Sequence, residues 1–552
     1  MPMFRRLLNS PALVALLLAL AAADARAQAA PRPASAYHPG IDVTDYDIRL
    51  ELPDTGAFLR GDVTVTARRE AGVRTLRLDL ASRLTVRSVM VNGTTVQAER
   101  TGATLAVPLE GAAGDSVQVR VRYDGIVTDG LIVRHDARGR WTWFADNWPN
   151  RARQWLAMVD HPSDKATVSF TVRAPSSRTV VANGTLLGVR PLTGAEEGRS
   201  ETRWRETRPI ATYLMVIGAG QLVRTDLRDS ACVASTVHRC VAQMVYASPD
   251  VNGYLPGPFA AAPAIVSYFE ELVGPFPYEK LAHLQSSTRF GGMENASAIF
   301  YADRLFTERT LGDDVIAHET AHQWFGDAVT EREWGHVWLS EGFATYFAAL
   351  WSLHAHGDDA FRKEMGEIRE QILADSVVAR RPVLDTLQRD LMALLNTNSY
   401  QKGGYVLFML HGELGDSAFF RGLRSYYAKY RDGNATTDDL RRELEASSGH
   451  SLGEFFDQWL GRPGVPAVQV GWAFDPQGGQ LALEVIQEGP APPYRLRIPV
   501  EITYADGRIV RTDVEVPAVA RSNALIVKQM GGRPRAVVID RQHLMLARLT
   551  RL

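Results

Sequence analysis

From about Tyr37 to Leu222, apolar residues recur at every second position: Leu76, Leu78 and Leu80; Val117, Val119, Val121 and Tyr123; Val168, Phe170 and Val172. A period of two over short runs marks half-buried strands, because successive side chains leave opposite faces of a pleated backbone. The pairs Asn92-Gly93 and Asn183-Gly184 read as turns between such runs, so this part is expected to be a large β domain. From about Val223 to Leu460 the spacing becomes helical, over Asp313 to Phe325, Ser340 to His356 and Gln401 to Glu413, with glycine or proline breaks between them. After the linker Gly461-Arg462-Pro463-Gly464, alternation returns at Leu496, Ile498, Val500, Ile502 and Tyr504, followed by an Asp506-Gly507 turn and a partner strand to Val516. Pro499 in that run points to an edge strand or a bulge. The pattern predicts an α+β multidomain chain divided as 28–222, 223–462 and 463–552.

A length of 552 residues is too great for one core and fits this division. With 61 basic against 63 acidic residues the net charge is -2, so no global field recruits nucleic acid or an anionic membrane, and charge must act locally. At the N-terminus Arg5 and Arg6 precede an apolar run from Ala12 to Ala23, and Ala25-Arg26-Ala27 offers small residues for a signal peptidase. Residues 1–27 are expected to be a signal peptide, with an uncleaved anchor as the alternative, and the protein is expected to be exported, periplasmic or secreted. No other segment reaches the roughly 20 apolar residues that a spanning helix needs. In an oxidising compartment Cys232 and Cys240, the two cysteines of the chain, are expected to pair.

The strongest chemical signal is His318-Glu319-Thr320-Ala321-His322. Imidazoles four residues apart share one face of a helix and can hold one metal ion, with Glu319 beside them. Asp313 and Asp314 suit the positive end of that helix, and Gly326 suits its stop. A catalytic zinc takes three protein ligands and leaves a position open. Glu341, in Ser340-Glu341-Gly342 with 18 residues between it and His322, is the candidate third ligand. His354 and His356 read as surface or packing residues, as does His336, although His336 lies between the motifs and can reach the ligands' neighbours. One zinc ion so held would activate water, with Glu319 as the proton carrier. The oxyanion that forms needs a second donor, and the phenol of Tyr400 suits that role, although spacing alone does not single it out among 17 tyrosines.

Upstream lies Gly291-Gly292-Met293-Glu294-Asn295, where a carboxylate follows two glycines in a region expected to be apolar. This run, then HETAHQWFGD, WLSEGFATY and YQKGG, in this order and at these separations, resembles the aminopeptidase-N (M1) family of zinc peptidases, which are gluzincins. The segments Ala152-Arg153, Asp160-His161-Pro162 and Lys165-Ala166-Thr167 are similar to the family's signature at the end of its β domain. The resemblance implies an N-terminal β-saddle or sandwich, a thermolysin-like, mainly helical catalytic domain and a small C-terminal β-sandwich. It also implies that Glu294 binds the free α-amine of a peptide, that Gly291, Gly292 and Met293 line the substrate backbone, and that His318, His322 and Glu341 hold zinc. Glu319 would then be the base, and Tyr400 would steady the oxyanion.

The chain departs from the family pattern at His161 and Met158, and at His336 and Ser340 near the ligands. Asp146 falls where the family often has a glutamine that contacts the amine, so it is a further candidate for substrate binding or a plain turn residue. The chain also resembles a short form without the long helical domain of many relatives. The expected activity is release of N-terminal residues from peptides with a free amine. A zinc epoxide hydrolase of the same family, an endopeptidase and a non-catalytic scaffold are the alternatives. An endopeptidase has no need of Glu294, and a scaffold would be expected to have lost Glu319, Tyr400 or a ligand.

Overall fold

The computed structural model describes residues 37–110, 115–227, 240–477, 479–489, 492–527, 533–542 and 545–552. The expected signal segment lies outside the described residues, as does Cys232 and with it the expected bridge to Cys240.

Alternation in the first third becomes sheet structure. In the strand Ser116–Ile126, Val117, Val119, Val121 and Tyr123 are buried while the residues between them reach outward. This strand belongs to an eight-stranded sheet in which Ile41–Glu51 pairs antiparallel with Phe58–Arg69 and parallel with Lys165–Pro175. A four-stranded sheet containing Trp141–Ala145 and Ile217–Gly220, and a three-stranded one containing Thr75–Asp79, complete the β domain. Asn92-Gly93 forms the expected tight turn, both residues lying at positive φ between the paired strands Thr85–Val91 and Thr94–Thr95. Asn183-Gly184 does not close a hairpin. It links Thr179–Ala182 to Thr185–Pro191, strands of different sheets, and the Asn183 side chain donates to Leu214 O and Ala296 O.

The middle third opens with a five-stranded sheet that the helical reading did not anticipate: Val223–Leu227, Ala242–Ala247, Lys280–Ser286, Ala298–Ala302 and, at the edge, Gly292–Met293. Every residue of Lys280–Ser286 is buried, so the strand shows no alternation by which to recognise it. Helices follow at Asp313–His322, Trp338–His356 and Gly403–Tyr430, the last kinked at Gly415. Asp313 and Asp314 stand in the first turn of the motif helix, where negative charge meets the exposed N–H groups.

The C-terminal third is two small sheets of four and three strands. The hairpin Leu496–Thr503 to Ile509–Val516 forms as expected, but its first strand is central, not an edge. Proline fits because it stands at the end of the ladder with Ala536–Ile539: its carbonyl accepts from Asp540 N at 2.8 Å, and only the last reciprocal N–H is missing.

The β domain is fastened to the catalytic domain beside the motif helix. Buried Lys165 donates to Asp327 O and Ala328 O at 2.8 and 2.9 Å, and Gly184 N donates to Ser297 Oγ at 2.8 Å. The cleft between the two domains lies next to these contacts.

Candidate active site

One helical turn brings His318 and His322 together, their Nε2 atoms 3.2 Å apart. Trp338–His356 packs against the motif helix and presents Glu341, whose Oε2 lies 3.5 Å from His318 Nε2 and 3.4 Å from His322 Nε2. The three ligand atoms lie within 4.8 Å of one another, and Glu341 Oε2 is buried with no hydrogen-bond partner among the described residues. Two imidazoles and a carboxylate converging on one point, with an acceptor left unsatisfied, fit a zinc ion with an open position.

The ligands are themselves held. Ser340 Oγ lies 2.9 Å from His322 Nδ1, leaving Nε2 to face the cluster. At Ser340, one of the positions where the chain departs from the resembled pattern, a hydroxyl thus stands beside the candidate ligand. His336 does not reach it: its Nδ1 lies 2.9 Å from Thr437 Oγ1 and accepts from Thr437 N, fixing the start of another helix. His161 is equally structural, hydrogen bonding with Ser163 and stacking on Tyr37, and Met158 is core.

Glycines set two close approaches. A Cβ on Gly292 would collide with the Glu319 carboxylate, so the edge strand Gly292–Met293 can lie directly over the motif helix only without a side chain there. A Cβ on Gly342 would stand 2.9 Å from the Gly403 backbone, so the helix bearing Glu341 and the turn bearing Tyr400 meet through glycine as well. Tyr400 sits in a π-turn, Asn398–Lys402, and its hydroxyl donates to Glu341 Oε1 at 2.8 Å.

Glu294, Glu319 and His322 also offer ligand atoms within 4.8 Å of one another, so the candidate amine anchor lies directly beside the candidate base. Burial, with Glu341 adding to it, raises the Glu294 carboxyl to about 7 despite the pull of His322. Burial likewise pushes Glu319 well above the usual carboxylate range, as do the nearby charges of Glu294 and Glu341. Glu341 runs the other way: burial is outweighed by the two imidazoles that face Oε2, and the carboxyl stays below its ordinary value.

These groups line a cavity of about 180 Å³ whose apolar walls are Trp148, Phe290, Met293 and Leu395. Asp146 is not among the lining residues. Its side chain is fully buried and ion-paired with Arg151 at 3.1 Å and Arg289 at 3.4 Å, and both arginines also reach Asp129. The structure therefore puts Asp146 in a salt-bridge cluster behind the wall, while its neighbour Trp148 faces the cavity. Sequence reasoning also passed over Gln323. Its Nε2 donates to Glu294 O at 2.7 Å and to Asp327 Oδ2 at 2.8 Å, and its Oε1 accepts from Ser297 N at 2.8 Å. A fully buried amide must find partners, and this one, next to a ligand histidine, ties the motif helix to the loop that carries Glu294.

A two-histidine, one-glutamate cluster with a further buried glutamate on the same helix defines the metallohydrolase class of centre. Sequence comparison agrees, matching residues 260–459 to the Peptidase family M1 domain and residues 43–214 to the Peptidase M1 N-terminal domain. The chain belongs to peptidase family M1. It is 29% identical over 337 residues to "Probable aminopeptidase 2" of Sulfurisphaera tokodaii, covering 58% of this chain and 41% of the relative. It is 27% identical over 421 residues to "Aminopeptidase N" of Streptomyces lividans, covering 70% and 47%. The chain thus spans about half the length of the curated relatives it matches. Among solved structures it is similar to an M1 zinc metallopeptidase from Deinococcus radiodurans, with a TM-score of 0.66 and 25% identity over 77% of this chain and 95% of the other.

Proposed function

We propose that this protein is a zinc aminopeptidase that removes single N-terminal residues from peptides with a free amine. The observation that carries the reading is Glu294: a buried carboxylate with no lysine or arginine partner among the described residues, directly after the edge strand Gly292–Met293 and beside the candidate metal cluster. An acid held in that way lacks a cation, and a substrate ammonium supplies one. With the amine fixed there, the first peptide carbonyl is the one that reaches the cluster.

His318, His322 and Glu341 would hold a zinc ion, which would supply Lewis acidity toward the scissile carbonyl and the attacking water. Glu319 accepts the proton of that water and returns it to the departing amine; a carboxyl raised by burial suits a group that both takes and gives a proton. Tyr400 is already a donor, aimed at Glu341, and a small shift of its hydroxyl transfers that bond to the developing oxyanion. The walls of Trp148, Phe290, Met293 and Leu395 favour an uncharged first side chain, since Asp146, behind the β-domain wall, is already paired.

The test is a panel of aminoacyl amides and short peptides, each with an N-acetylated control, assayed with and without a zinc chelator. Free-amine substrates should be cleaved and blocked ones spared; efficient cleavage of blocked peptides would overturn the reading in favour of an endopeptidase. An epoxide added to the panel separates the remaining hydrolase alternative. The signal-like N-terminus supports export as part of the proposal, and a mature protein beginning at Gln28 in the periplasm or medium is the expected result.

A further inference from the structure

Tyr400 is placed by a single turn of π-helix, and that turn is fastened on two sides. On the first, Thr397 Oγ1 donates to Asp375 Oδ2 at 2.5 Å, Asn398 Nδ2 to Arg381 O at 3.0 Å and Ser399 Oγ to Leu394 O at 2.6 Å. These bonds hold the turn to the segment that precedes it. On the second side stands Lys402, fully buried, its Nζ 2.9 Å from Gly464 O and 3.4 Å from Arg462 O. Both acceptors belong to the linker that leads into the C-terminal β domain.

The linker is not slack at that point. Gly464 N donates to Val378 O at 2.6 Å, and Leu384 N donates to Leu460 O at 3.0 Å, so it is strapped to the same 378–384 stretch from which the turn hangs. Just before the linker, Gln458 exchanges hydrogen bonds with the backbone of Arg495 at both N and O, seating the C-terminal domain. A long cation buried two residues from the tyrosine, and directed at backbone carbonyls with no carboxylate among the partners shown, therefore acts as a strut. Burial pushes its ammonium down to about 7, a cost in stability that a solvent-exposed lysine at this position would avoid.

We infer that Lys402 is a positioning residue for Tyr400: anchored on the linker carbonyls of Arg462 and Gly464, it fixes how far the phenol reaches toward Glu341 and the cleft, and so couples the seating of the C-terminal domain to the oxyanion step. The inference rests on the proposed role of Tyr400. It treats the C-terminal domain as a brace for catalysis rather than as an appendage.

The experiment is a double-mutant cycle on the full chain. Lys402→Met should lower kcat by about 10- to 100-fold, the scale set by small misplacements of catalytic groups, with KM within about two-fold and zinc content unchanged. In a Tyr400→Phe background the same substitution should lower kcat no further, because the group it positions is gone. Lys402→Gln, which keeps N–H donors on a shorter stem, should recover part of the loss, and it stands in for the methionine variant should that fail to fold. A Lys402 variant that folds with wild-type kcat, or one whose loss multiplies in full with that of Tyr400→Phe, overturns the inference alone. Wild-type turnover by Tyr400→Phe itself overturns the reading of Tyr400, and this inference with it.

Discussion

Two buried acids, one behind the cleft and one lining it, stand in opposite company. Asp146, behind the β-domain wall, is enclosed by Arg151 and Arg289, with Asp129 completing a four-charge cluster. Glu294, on the catalytic wall, has no such partner, and Glu319 and Glu341 beside it also lack ion pairs with lysine or arginine among the described residues. The first arrangement uses an acid to hold two elements together. The second keeps acids available for cations that arrive from outside, a metal ion and an ammonium. Along the β-domain segment itself, Asp146 turns into the cluster while Trp148, two residues on, lines the cavity.

The comparison breaks most sharply at Glu319. Removing its charge while keeping its shape, Glu319→Gln, should reduce kcat by about 1,000-fold, as for the loss of a general base, with zinc still bound by metal analysis. Turnover above a tenth of wild type would mean that another group carries the proton. Next comes Glu294→Gln, which removes a charge-assisted contact to the amine. KM for free-amine substrates should rise about 10- to 100-fold, and the preference over N-acetylated peptides should shrink. If only kcat fell and the preference survived, Glu294 would not be the amine anchor.

A third acid sharpens the contrast through pH. Glu331 is buried, neither of its carboxylate oxygens has a hydrogen-bond partner among the described residues, and burial raises it from 4.5 to about 8, with help from Glu294 and Glu341. In the folded state this group holds its proton more tightly than in the unfolded chain. Its ionisation therefore costs stability progressively as pH rises from about 4.5 through about 8, by on the order of a few kcal/mol. Glu331→Gln should melt like wild type at pH 5 and above it at pH 8. Equal melting temperatures at both values would show that a partner such as a buried water already stabilises the charge.

Much of this was legible before any coordinates. The His318 and His322 spacing, the carboxylate of Glu341 on the following helix, and the strands around Val117 and Val168 follow from local periodicity, which the sequence states directly. The roles proposed for Glu294 and Tyr400 were suggested only through resemblance, since a glutamate after two glycines or one tyrosine among 17 has no periodic signature. What stayed hidden was non-local. The sheet ending in Gly292–Met293 contains a strand buried on both faces and so without alternation. Gln323 and Lys402 look like ordinary polar residues until their buried partners, 29 and about 60 residues away, are known. The ion pairs of Asp146 stayed hidden for the same reason, because one of its two arginines, Arg289, lies on a distant segment.

Asp146 also provides the smallest kinetic effect and the most direct check on the comparison. Asp146→Asn removes a buried charge from a cluster in which Arg151 and Arg289 keep Asp129 as their remaining acid. Breaking a buried pair costs about 3 kcal/mol, so the melting temperature should fall. Because the carboxylate points into the cluster and not into the cavity, KM and kcat for free-amine substrates should stay within about two-fold of wild type when assayed well below that temperature. The two walls then separate cleanly: at Glu294 affinity changes, and at Asp146 stability changes. A KM increase for Asp146→Asn comparable to that for Glu294→Gln, in a variant that melts like wild type, would show that two carboxylates receive the amine and that the salt-bridge cluster opens when substrate binds.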